Sequence, residues 1–121
     1  ARIVAHARNS LAPEDFTLAP IGAADQVLAK AGWLASEVDL WEINEAFAMV
    51  TMLTTRALEL DPACVNVHGG ACAQGHPVGS TGSRIIVTLM HALEHYGKQR
   101  GVAALCIGGG EATAVAIELV A

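Results

Sequence analysis

Nowhere in this sequence do the roughly 18 consecutive apolar residues of a membrane-spanning helix occur, so the chain is not expected to cross a bilayer. Charge is also scarce: Asp, Glu, Lys and Arg make up 16% of the residues, against the roughly 25% usual in soluble domains. Basic charge is scarcest. Seven Lys and Arg are scattered singly and the net charge is −5, which argues against the basic stripe of a nucleic-acid surface. An anionic ligand would have to be gripped mainly by dipoles or by residues outside this chain. There are three cysteines, an odd number, and their spacing suggests no disulfide scaffold. A reducing compartment follows, the cytoplasm in the first place, with an organelle matrix also compatible. No signal sequence opens the chain, which an excised fragment would not show in any case.

What remains is apolar. Such residues are 53% of a 121-residue chain that has room for one domain with a modest core. So little polar surface cannot clothe a small globule, and one or more large apolar faces are expected to meet a further part of the chain or a partner subunit. Short apolar runs alternate with longer helical periods, the pattern of an α/β domain spanning residues 1–121 without internal repeat. Strands are predicted at 2–8, 38–43, 64–68, 102–107 and 112–120. Helices are predicted at 20–31, 46–60 and from Pro77 to about Tyr96. Asn44 stands where the cap of the second helix belongs, and Gly32 and Gly97 stand where helices stop. The segment 85–90 is apolar nearly all round, as in a helix buried on several sides. Only four residues separate the last two strands, too few for a crossover, so they must be antiparallel. The expected fold is βαβαβαββ: a five-stranded mixed sheet with helices on both faces.

Three segments carry potential chemistry, and all fall at the C-terminal ends of predicted strands, the edge where open α/β sheets bind ligands. They are Asn44-Glu45-Ala46-Phe47-Ala48, the stretch 69–82 (GGACAQGHPVGSTG), and 106–110 (CIGGG). An isolated cysteine is most simply a small core residue. Three glycines after Cys106, however, let backbone pass close to a ligand with N–H groups free, and a cysteine there can act as base or nucleophile. His76, between Gly75 and Pro77, is either a turn-capping histidine or a rigidly held imidazole able to take a proton or donate to an oxyanion. Asn44 and Glu45 have a simpler reading as a cap and an acid set against the helix dipole. Gly79 and Gly82 are expected to ease packing at a crowded helix start, since neither dinucleotide nor P-loop spacing is present.

Cys64, His68, Cys72 and His76 recur every fourth residue, and all are possible zinc ligands. Strand-favouring Val65-Asn66-Val67 and the glycines at 69, 70 and 75 break the helix that would align them, so no metal is expected. Cys, His and Asn are also the parts of a papain-like hydrolase, but their order and the α/β pattern disagree with that fold. A second alternative is non-catalytic: a domain that binds a ligand or assembles with a partner.

Taken together, the three segments resemble the C-terminal domain of the thiolase family. Members carry NEAFA, GHPxGxSG-like and CxGGG segments in this order and at about these spacings, and each thiolase half has the βαβαβαββ fold. The resemblance implies acyl transfer between acyl-CoA and acetyl-CoA, by Claisen condensation or thiolytic cleavage of 3-oxoacyl-CoA. Coenzyme A thioesters would be substrates and no cofactor would be needed. It implies that Cys106 moves the α-proton, that His76 activates a nucleophilic cysteine and donates to the thioester oxyanion, and that Asn44 holds a water completing that oxyanion hole. Gly108 would offer its N–H to the acyl-enzyme carbonyl, Phe47 would wall the site, and Glu45 would brace the loops. The nucleophile and most coenzyme A contacts belong to an N-terminal half, a partner this chain lacks, and the parent would be a homo-oligomer. Gln74, Thr81 and Glu111 depart from the usual family residues, which bears on acyl-chain preference rather than on reaction class.

Overall fold

The structure, a computed structural model, describes residues 1–120. Strand β1 (Arg2–Ser10) leads through a short 3₁₀ turn to helix α1 (Ala19–Ala31), then β2 (Leu40–Ile43) and α2 (Ala48–Ala57). A one-turn helix α3 (Ala71–Gln74) precedes the long α4 (Thr81–Tyr96), and β3 (Arg100–Ile107) and β4 (Glu111–Glu118) close the fold. Pro20 sits in the first turn of α1, where its missing N–H costs nothing. Gly32 ends that helix in the left-handed region, at φ 70°, and the next N–H, of Trp33, returns to the Leu28 carbonyl at 3.0 Å. Gly97 ends α4 in the same way, with Lys98 N–H on the Leu93 carbonyl at 2.8 Å.

The strands lie in the order β1-β4-β3-β2. β3 and β4 form the antiparallel hairpin that the short connection requires, β1 runs antiparallel to β4, and β2 runs parallel to β3. Side chains alternate between two cores. Trp41, Ile43, Val102, Ala104, Ala112, Ala114 and Ala116 face α1, and Leu40, Ala103 and Ile117 face Ile85, Leu89 and Leu93 of α4. The abundance of alanine on the first face lets α1 seat close to the backbone of the sheet.

The sheet has four strands among the described residues, not five. The predicted strand at 64–68 is reduced to a single parallel bridge between Trp41 and Val65. Asn66 interrupts it, turning the backbone to a positive φ of 48°, a region Asn tolerates better than most residues. Its side-chain amide then stands in for the missing ladder: Oδ1 accepts from Ile43 N–H and Nδ2 donates to the Ile43 carbonyl, both at 2.8 Å. The helices also differ at their starts. α2 begins at Ala48, after an extended Phe47, rather than after an Asn44 cap, because Asn44 continues the β2–β3 ladder through its N–H to the Ala104 carbonyl at 2.9 Å. α4 is amphipathic rather than buried all round: Ile85 and Leu89 are covered while Val87 is 52% exposed. Gly79 and Gly82 face open space, not a crowded helix start.

Candidate active site

The polypeptide between α3 and α4 turns sharply at Gly75, with φ 95°, and delivers His76 to the sheet edge just ahead of Pro77. The imidazole Nδ1 lies 2.7 Å from Oγ1 of Thr81, the first residue of α4. Thr81 is wholly buried, and its hydroxyl also bonds the Pro77 carbonyl at 3.0 Å. Cys106 arrives from the other direction, as the last buried residue of β3. Burial pushes its thiol above the ordinary pKa, so the protonated form is its resting state at neutral pH. His76, Cys106 and Gly108 line one cavity of about 420 Å³, with Phe16, Val78 and Leu105 among its apolar walls.

The triglycine turn is required by its surroundings. Gly110, at φ 85°, packs against the carbonyls of Leu11 and Ala12 so closely that a Cβ would collide with backbone. Leu11 N–H bonds the Gly110 carbonyl at 2.9 Å, which ties the tip of the hairpin to the end of β1.

The NEAFA segment places its residues in three different settings. Phe47 is exposed at the rim, its ring tilted against Phe16 with centroids 5.9 Å apart. Glu45 points away from the His76–Cys106 cavity. It lines a separate groove of about 710 Å³ beside α2, and its Oε2 accepts the Cys72 N–H of α3 at 2.9 Å. Gly70 makes room for that carboxylate, which a Cβ would strike. The same carboxylate is the main reason the exposed Cys72 thiol is raised above its ordinary pKa. The larger groove holds neither His76 nor Cys106, so size does not identify the chemical site here.

Asn44 is buried at the end of β2, behind the cavity rather than in its lining. Arg84, from the first turns of α4, reaches Asn44 Oδ1 at 3.5 Å with one nitrogen and Glu42 Oε2 at 3.2 Å with another. Because side chains alternate along a strand, Glu42 and Asn44 share the face turned to α4. Burial lifts the Glu42 carboxyl from an ordinary 4.5 to about 7, only partly countered by Arg84. Asn44 Nδ2, Glu42 Oε1 and Arg84 Nε have no partner among the described residues. Such buried orphans are costly unless a water or another group meets them.

Glu42, Arg84 and the bonding role of Thr81 were not legible as site features from the sequence. The available signal was a lone acid inside the apolar strand LWEI and a lone base at the head of an apolar helix. The fourfold Cys/His spacing dissolves in three dimensions. His68 meets His95 edge to face and Tyr96 at a tilt, Cys64 packs toward α4, and no three metal-ligating side chains converge among the described residues.

A family model described as "Thiolase, C-terminal domain" matches residues 1–119. This chain belongs to the thiolase family. Among its relatives is the cytosolic acetyl-CoA acetyltransferase of Mus musculus, 51% identical over 118 residues, which covers 98% of this chain and 30% of that protein. The crystal structure of the Bacillus anthracis acetyl-CoA acetyltransferase superimposes with a TM-score of 0.96 at 40% identity, covering 98% of this chain and 30% of that one. The human mitochondrial 3-ketoacyl-CoA thiolase, solved in complex with CoA, also gives a TM-score of 0.96, at 42% identity, with 99% and 30% covered. The chain thus spans about 30% of the length of the thiolases it matches. Both cytosolic and mitochondrial proteins are among those relatives, and no helix among the described residues is long and apolar enough to cross a membrane.

Proposed function

We propose that the protein containing this chain is an acyltransferase of the acetyl-CoA C-acetyltransferase or 3-ketoacyl-CoA thiolase type, and that residues 1–121 form its C-terminal half. The observation that carries this is the convergence of His76 and Cys106 on one partly apolar cavity at the C-terminal edge of the sheet. A base and a thiol facing one pocket are what thioester enolate chemistry needs; here Cys106 is buried and His76 is exposed.

In condensation, His76 takes the proton of the nucleophilic cysteine supplied by the N-terminal half. The thiolate attacks the acyl-CoA carbonyl, and coenzyme A departs as its thiolate and then takes the Cys106 proton, so that His76 stays protonated and able to donate. The Cys106 thiolate so formed removes the α-proton of acetyl-CoA. The enolate carbon attacks the acyl-enzyme carbonyl and the nucleophilic sulfur departs. In cleavage the steps reverse, and the high thiol pKa of Cys106 keeps it ready to protonate the departing carbanion. Asn44 holds a water that joins His76 in the thioester oxyanion hole; its unpartnered Nδ2 is a donor free for that water. Gly108 N–H serves the acyl-enzyme carbonyl. Phe47 walls the rim and Glu45 braces the loops. No cofactor is called for beyond coenzyme A thioester substrates. The partners are acyl-CoA, free coenzyme A, the N-terminal half and further copies in a homo-oligomer. The setting is the cytoplasm, with an organelle matrix equally suited to the chemistry.

The test uses the full-length parent and radiolabelled acetyl-CoA. Cys106→Ser should accept label covalently on the upstream cysteine yet form no acetoacetyl-CoA, since acylation does not need the α-proton base. Normal condensation by this variant would reduce Cys106 to a packing residue. The 121-residue chain alone, without the nucleophile, should show no thiolysis of acetoacetyl-CoA.

A further inference from the structure

A general base works only if the nitrogen facing the substrate carries a lone pair, so the tautomer of a neutral histidine matters as much as its position. Among the described residues the one side-chain partner of His76 is the Thr81 hydroxyl, 2.7 Å from Nδ1. That hydroxyl has a single proton and sits 3.0 Å from the Pro77 carbonyl, which can only accept. If the proton pointed at His76, the two oxygens would stand at that distance with no proton between them, beside the Ser80 and Thr81 N–H groups that the Pro77 carbonyl also accepts. If it points at Pro77, the hydroxyl accepts from Nδ1–H and both contacts are bonded. Thr81 is wholly buried, so solvent does not compete for the arrangement.

The geometry points to Thr81 as a positioning residue that holds His76 in the Nδ1-protonated tautomer and leaves Nε2 bare. This deepens the thiolase reading and rests on it, since a bare Nε2 is the atom that takes the proton of the nucleophilic thiol. It also gives a different meaning to a position that differs from the usual family serine. A threonine keeps the hydroxyl, so the departure preserves the hydrogen bond and need not touch chain-length preference.

The test is made on the full-length parent. Long-range ¹⁵N–¹H NMR on protein labelled only at histidine reports which ring nitrogen of neutral His76 carries the proton, with His76→Asn to assign the signal. Native protein should be protonated at Nδ1. Thr81→Val, which keeps the shape and removes the hydroxyl, should shift the ring toward Nε2–H. It should also lower kcat for thiolysis by up to the ~10²–10⁴-fold that general acid–base catalysis supplies, with KM little changed. Thr81→Ser should rescue both the tautomer and kcat. A native ring protonated at Nε2 overturns the proposal even if Thr81→Val fails to fold, and so does a Thr81→Ser variant as impaired as Thr81→Val. An Nε2-protonated native ring with an inactive His76→Asn would remove the role of Thr81 and leave His76 as the base. Full activity of His76→Asn would remove the base assignment itself.

Discussion

Glu42 is a buried carboxyl with one charged partner, Arg84, and the consequence is measurable. Its carboxyl is raised from 4.5 to about 7, first by burial, with Arg84 pulling it down and Glu45 adding to the rise. The folded chain therefore holds this proton more tightly than the unfolded chain does. The stabilisation is complete below about pH 4.5 and is lost as the pH climbs through 7, where a buried charge must form. Urea unfolding of the 121-residue chain should show stability declining between pH 5 and 8 by up to about 3 kcal/mol from this group. Glu42→Gln, which cannot ionise, should flatten that slope. Equal slopes in the two proteins would mean that Arg84 neutralises Glu42 more fully than its 3.2 Å contact suggests.

An amide side chain replaces a strand at the edge of β2. Asn66 bonds both the N–H and the carbonyl of Ile43, and its own N–H bonds the Trp41 carbonyl at 2.8 Å. Edge backbone that would otherwise be left open is closed by one residue, at the cost of a left-handed conformation. Asn66→Ala removes both side-chain bonds and leaves the Ile43 N–H without a partner. It should destabilise the chain by about 2 kcal/mol in chemical denaturation. A loss below ~0.5 kcal/mol would show that water fills the place of the amide. The same strand end positions Asn44, so the variant should also lower the activity of the full-length parent.

Several large apolar side chains are exposed among the described residues. Met52 is 69% exposed, Val87 52% and Phe47 59%, and Gly82, Ile86, Leu105 and Val115 line a further apolar hollow beside α4. A chain with 16% charged residues has little polar surface with which to hide these patches. Purified alone, it should associate with increasing concentration in analytical ultracentrifugation. A strictly monomeric species at tens of micromolar would show that these faces are tolerated in water.

Features governed by a few neighbouring residues were readable in the sequence by itself. Gly32 and Gly97 end their helices because a left-handed residue is needed there, and β3 and β4 pair antiparallel because the three residues between them cannot make a crossover. Two of the three motifs, at 44–48 and 106–110, stand at strand ends as expected, whereas the segment 69–82 follows only a single bridge. Tertiary structure alone decided which of their residues meet. His76, Cys106 and Gly108 share a cavity, whereas Glu45 turns to α3 and Asn44 is withdrawn behind the site. The predicted strand at 64–68 gave way because the Asn66 amide bonds Ile43 across 23 positions of chain, and Arg84 finds Glu42 across 42. Local propensity carries no record of partners at such separations. Burial and hydrogen-bond satisfaction choose them only when the sheet has assembled.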